Sequence, residues 1–385
     1  MPLLKRRDFW IDQSTKRYTF SNQYEIKNEL GRGPNSIVYE CQRRGLQMIY
    51  AVKLLRKNIN KKVCLADAGI LLKLDHRNLV RLQEIFETRN RIYIVQELVS
   101  GGELFERIVQ PGSNYSEQVA SRAIRDVVNG LKYLHFFGYA VKNLKPENLV
   151  YEDHSDDAHV KIADFAMSSI VSPELEIAAT CRFPGYTAPE IMKGFRADRA
   201  SDMWSLGVII FILLFGYEPF SHEDPVALFK KIIKGQFEFP AHDTHEVDEV
   251  SVIGKDLVRK LLQVDPKDRL TAEKAYRNSW VNSVAVKSKP LEFVVAKIRD
   301  LNATRKQKAL LPPLSVSTIH SQVSQGYLFL VKPRSATQEA ETTETAIQHS
   351  KETSFTDVQD GTKSYEQSEA GYDLDEIPSP SIEAA

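Results

Sequence analysis

Between Tyr24 and about Val99, apolar residues alternate with polar ones in short runs. Ser36-Ile37-Val38-Tyr39-Glu40 and Tyr50-Ala51-Val52-Lys53-Leu54-Leu55 read as strands separated by a turn near Arg44-Gly45. Val63, Ala66, Ile70, Leu71 and Leu74 recur at helical spacing and predict a helix over Lys61 to Leu74. Two further strands are expected, over Leu79 to Phe86 and Arg91 to Glu97. From Gly101 to about Val281 the period changes, and helices are predicted over Ser116 to Leu134, Ser201 to Phe215, Ala227 to Lys234 and Lys255 to Gln263. The pattern implies an α+β chain with two lobes: a small strand-rich lobe over 24–99 with one helix, a larger helical lobe over 100–281, and a cleft between them.

Two regions flank this body. Residues 1–23 form an N-terminal extension. Leu291 to Leu311 is a basic amphipathic helix candidate stopped by Pro312-Pro313. Beyond it, Ser, Thr, Glu and Gln prevail, and 313–385 reads as an acidic, disordered tail. Its acids are matched by few cations, so the neutral formal charge of the whole chain conceals a basic body. That neutrality gives no bulk field for nucleic acid. The longest apolar stretch, Met203 to Phe215, is too short to span a bilayer. Phe9-Trp10-Ile11 is interrupted by Asp8 and Asp12 and forms no signal-peptide core. Cys41, Cys64 and Cys181 stand far apart, as reduced thiols do, and the expected location is cytoplasmic or nuclear.

Candidate chemistry changes the picture through order and spacing. Gly31-Arg32-Gly33-Pro34-Asn35-Ser36 is a glycine loop of the kind whose backbone N–H groups close over phosphates. By itself it is no more than a strand turn, and Lys53 by itself no more than a strand lysine. They are followed by Leu144-Lys145-Pro146-Glu147-Asn148, Ile162-Ala163-Asp164-Phe165, Ala188-Pro189-Glu190 and Asp202-Met203-Trp204-Ser205-Leu206-Gly207. Together the series resembles the signature of the Ser/Thr protein kinases. Glu29-Leu30-Gly31-Arg32-Gly33, Glu84-Ile85-Phe86-Glu87-Thr88, Glu97 to Phe105 and Lys255 to Leu261 are similar to the calcium/calmodulin-dependent group, and in it to the type IV kinases.

That resemblance implies ATP and Mg²⁺ as cofactors. Lys53 would hold the α- and β-phosphates, Asn148 and Asp164 the metal, and Lys145 the γ-phosphate. Val38, Ala51 and Val150 would enclose the adenine ring, with Gly31, Gly33, Glu97 and Val99 completing the nucleotide set. Glu103 would reach the ribose or a basic residue of a peptide. Asp67 would be the helix acid that pairs with Lys53, one methylene shorter than the family's glutamate. Glu190 with Arg269, and Asp202 under the catalytic loop, would be structural pairs.

The sequence departs from the family where chemistry occurs. Val141-Lys142-Asn143 replaces His-Arg-Asp, and the amide of Asn143 is no base at neutral pH. Lys142 lacks the planar fork that grips an activation-loop phosphate. Ala179 stands at the phosphorylated threonine, with Thr180 beside it, and Arg182-Phe183 replaces Gly-Thr. Ala166 follows Asp164-Phe165 where the family has glycine. These changes predict a pseudokinase that binds ATP and acts as a scaffold or allosteric partner. A kinase with residual transfer and a module without nucleotide are the alternatives. The helix over 291–311 resembles an autoinhibitory, calmodulin-binding segment, so Ca²⁺ would act only through calmodulin.

Overall fold

The computed structural model describes residues 11–12, 14–15, 19–33, 36–56, 66–67, 71–88, 90–165, 184–193, 195–240, 250–284 and 286–310. All belong to the first of two compact units, Met1–Lys332. In the small lobe the elements are β1 (Ile11–Asp12), α1 (Phe20–Gln23), β2 (Tyr24–Arg32), β3 (Ser36–Arg43), β4 (Ile49–Arg56), β5 (Ala66–Asp67), β6 (Leu82–Glu87) and β7 (Arg91–Glu97). Five of these strands form an antiparallel sheet in the order β2-β3-β4-β7-β6. The β3–β4 turn falls where the sequence placed it, with Gly45 at φ 78, a conformation that costs glycine little.

Alternation along the strands gives the sheet two apolar faces. On one, Tyr24, Cys41, Tyr50, Val52, Phe86 and Val95 close a small core with Phe20. Phe20 stacks on Tyr24 and Tyr93 and meets Phe86 edge-on. On the other, Leu55, Ile85, Ile92 and Ile94 join a core that continues into the large lobe. A sheet buried on both sides ties the lobes together while leaving its open end to form a cleft.

The expected helix over Lys61 to Leu74 does not extend through residues 66 and 67, although Leu71 in the same span is helical. Ala66–Asp67, inside the predicted span Lys61 to Leu74, is a strand that pairs in parallel with Ile11–Asp12. The extension supplies backbone partners there, and a tertiary pairing of that kind overrides a short local periodicity. The remainder of that span up to residue 70 lies outside the described residues.

The large lobe contains α2 (Leu104–Ile108), α3 (Glu117–Phe136), the hairpin β8 (Leu149–Tyr151) and β9 (Val160–Ile162), α4 (Pro189–Met192), α5 (Arg199–Phe215), α6 (Pro225–Lys234), α7 (Val252–Leu261), α8 (Ala272–Tyr276) and α9 (Glu292–Leu310). Its keel is α5, whose residues from Ser201 to Phe215 are all buried. A helix apolar all round has to sit inside the core, where each large aliphatic or aromatic side chain contributes roughly 1.5–3 kcal/mol. Asp198 and Ser201 close its start with a capping box, and Gly216 at φ 80 ends it. Among the described residues, no helix is long and apolar enough to cross a membrane.

Candidate functional site

β4 delivers the first functional group. Lys53 pairs with Val38 on β3 and Ile94 on β7, and Ala51, two residues earlier on the same face, pairs with Glu40 and Gln96. Lys53 is 9% exposed, and its Nζ donates to Asp164 Oδ2 at 2.6 Å. Asp164 holds φ at 59, a left-handed backbone that a non-glycine residue adopts only when its surroundings enforce it. Val80, Leu82, Ile94, Gln96 and Phe165 line a small cavity beside this pair. At the cleft's mouth Gly31 pairs with Val38, and the Gly33 N–H donates to the Ser36 carbonyl at 2.8 Å. The chain leaving β7 through Glu97 and Val99 is then pinned to the hairpin, because Ser100 and Gly101 donate to Glu152 and Tyr151, and Tyr151 donates to Gly102. Glu103 bridges Val150 in the same way.

Asp202, 1% exposed on α5, organises the opposite wall. Its carboxylate accepts from the backbone N–H groups of Val141 at 2.8 Å and Lys142 at 2.7 Å, with His135 Nε2 at 2.9 Å. Three donors on one buried carboxylate hold Lys142 at φ 61 and seat Val141 as an apolar plug, 1% exposed. Asn143 is exposed next to them. Its carbonyl accepts from Asn148 Nδ2 at 2.9 Å, the Lys145 carbonyl accepts from the Asn148 N–H at 3.0 Å, and the Asn148 carbonyl accepts from Ala163 at 2.8 Å. The amide of Asn148 thus spends its donor end on the loop and presents its oxygen as the end a cation would take. An amide oxygen and the Asp164 carboxylate are hard oxygen donors of the kind Mg²⁺ accepts, so the residues present fit that ion.

Outside this cleft α9 builds a second feature. Leu291, Val294 and Ile298 are fully buried, and the helix runs so close to Gly216 that a Cβ there would lie 2.6 Å from Lys297 Cβ. Farther along, Asn302 Nδ2 donates to the Phe105 carbonyl at 3.0 Å. Arg305, 6% exposed, puts Nη2 2.6 Å from Glu147 Oε2, with the Phe105 ring 5.3 Å away. The approach is a close ion pair, and Arg305 Nε finds no hydrogen-bond partner among the described residues. Lys306 pairs with Glu106 at 2.6 Å. Burial pushes the Glu103 carboxyl up to about 7; Glu106 and Glu147 add to the rise, and Arg305 and Lys306 oppose it.

Comparison with known proteins agrees with this architecture. The family profile described as "Protein kinase domain" matches residues 24–281. Calcium/calmodulin-dependent protein kinase type IV of Rattus norvegicus is 41% identical over 335 residues, 87% of this chain and 70% of the rat protein. Its Homo sapiens counterpart is 42% identical over 328 residues, 83% of this chain and 68% of that protein. Myosin light chain kinase A of Dictyostelium discoideum is 38% identical over 264 residues, 68% and 88% of the two chains. The chain belongs to the calcium/calmodulin-dependent group of Ser/Thr protein kinases.

Seen as a kinase fold, the cleft collects most residues singled out in the sequence. Lys53 and Asp164 touch; Asn148 is stitched to the loop of Asn143 and Lys145; Gly31, Val38, Ala51, Glu97, Val99, Glu103 and Val150 stand on the strands and connectors around them. The buried pair is present, with Arg269 gripping Glu190 through two bonds of 2.7 and 2.9 Å. Asp67 does not stand on a helix, since its backbone is in β5, and its side chain lies outside the described residues. So do Ala166, Ala179, Thr180, Arg182 and Phe183. Sequence reading missed Glu106, Glu147, Arg305 and Lys306 as a cluster. The signal was available: positions 291, 294, 298 and 305 share one helix face, and the last carries an arginine in an apolar stripe.

Proposed function

We propose that this kinase-fold chain binds Mg-ATP and transfers phosphate poorly or not at all, acting in signalling as a scaffold or allosteric partner. The observation that carries the reading is Asn143. The loop around it is held by Asp202 and Asn148, so the position is in order, and an amide there has no lone pair basic enough to take a hydroxyl proton. Nucleotide binding rests on Lys53, Asp164 and Asn148, which keep a cation, a carboxylate and an amide oxygen together in the cleft. When bound, Mg²⁺ would supply charge neutralisation at the phosphates.

A second reading, a kinase with residual activity, is favoured by that same retained set, because positioning carries much of a loose phosphoryl-transfer transition state. In a third, Lys53 and Asp164 serve only to satisfy one another. The deciding experiment is a Mg-ATP thermal shift on wild type and Lys53→Ala. A shift lost in the mutant supports the nucleotide site, and no shift in either leaves only the third reading. We further propose that α9 takes calmodulin, a partner printed in the names of the type IV relatives. Its support is a helix carrying Lys297, Arg299, Arg305 and Lys306 beside apolar anchors. Absence of binding at micromolar Ca²⁺-calmodulin would end that reading.

A further inference from the structure

Lys161 stands in the middle of β9, three residues before Asp164, and its side chain is 7% exposed. A buried ammonium has to be paired, because its desolvation is not otherwise offset. Its partners come from two sides. Glu97 Oε1 lies at 3.0 Å and belongs to the last residue of β7, where the chain leaves the small lobe. Glu152 Oε1 lies at 3.4 Å and follows β8. The Glu97 oxygen also accepts the Arg81 N–H at 3.1 Å, while the Glu97 N–H donates to the Arg81 carbonyl at 2.9 Å. Glu97 is therefore fixed from its own lobe and from the other one.

The backbone around Lys161 leaves little slack. Ile162, its neighbour, donates to Asn78 and accepts from Val80. The connector that follows Glu97 is bound to the hairpin at residues 100–102, and a Cβ on Gly101 would sit 2.1 Å from the Asp153 carbonyl. A displacement of Glu97 is thus passed to β9, and from β9 to Asp164 within three residues.

We propose that Lys161 is a positioning residue: by bridging Glu97 to β9 it locks the connector between the lobes to the strand that presents Asp164, so both ends of the cleft move as one. The consequence for nucleotide rests on the reading above; the mechanical coupling does not.

The test compares full-length wild type, Lys161→Met and the near-isosteric Glu97→Gln, which keeps the fold if the lysine variant does not. Hydrogen exchange is followed in segments 94–100 and 159–165. Coupling predicts that either substitution accelerates exchange in both segments, although each alters only one, and that the double variant adds little to the single ones. Acceleration confined to the substituted segment would overturn the proposal. In parallel, Mg-ATP affinity should fall roughly 10-fold in each variant, the scale of one lost hydrogen bond to a charged group. If wild type binds no Mg-ATP, the nucleotide reading fails, and the exchange pattern still decides the coupling.

Discussion

Arg305 is an almost fully buried cation on an otherwise apolar helix face, and Glu147, one residue before Asn148, is what it meets. The pair joins the helix that follows the kinase body to the segment that would hold the metal. Glu147 supplies the counter-charge that a guanidinium taken out of water requires, so the contact helps to hold the helix on the lobe.

Arg305→Ala should therefore loosen the far half of α9 while leaving Leu291, Val294 and Ile298 in place. Protease cleavage around Asn302 to Lys306 should accelerate, with an unchanged pattern elsewhere.

Glu103 sets a pH dependence. Its folded pKa is raised from 4.5 to about 7, so its contribution to stability is fully present below about 4.5 and is lost as pH rises through about 7. Arg305 opposes the rise, so Arg305→Ala should lift the Glu103 pKa further and extend the loss of stability to higher pH. Denaturation midpoints measured across the window in both proteins check the sign.

Glu190 and Arg269 form a buried two-bond pair, and Arg269 also donates to Ala200 and Gln263. Glu190→Ala leaves the guanidinium buried without its counter-charge and should cost about 3–5 kcal/mol in chemical denaturation. Replacing both partners by well-packed apolar residues should recover much of that loss.

Asn143→Asp tests the chemistry. If the missing base limits transfer, the substitution should raise single-turnover phosphotransfer by on the order of 10²–10⁴-fold. Asp164→Asn in that background should abolish the gain. Unchanged turnover in Asn143→Asp would place the defect elsewhere, at Ala179 or Phe183.

The sheet and long helices were legible because their burial follows simple periods: Ile92 and Ile94 alternate with Tyr93, and α5 is apolar from Leu206 to Phe215. The site was legible through motif order, which singles out Lys53, Asn148 and Asp164 along the chain. The segment around Asp67 was not, because its partner strand lies some fifty residues earlier in the chain and local spacing carries no record of it. Arg305 and Lys161 were hidden for a different reason. Each is a cation whose role depends on carboxylates contributed by other elements, and a charge read along one strand or helix looks like solvated surface.

Leu291, Val294 and Ile298 belong to the same continuous core as the keel helix α5. The helix that would be handed to a partner is thus also a wall of the lobe. Lifting it whole uncovers an apolar trough beside Phe105 and Gly216, the kind of surface on which copies of a chain adhere to one another. A partner that lifted the whole helix would open the lobe's core, whereas one that took only the far half would leave Leu291, Val294 and Ile298 in place.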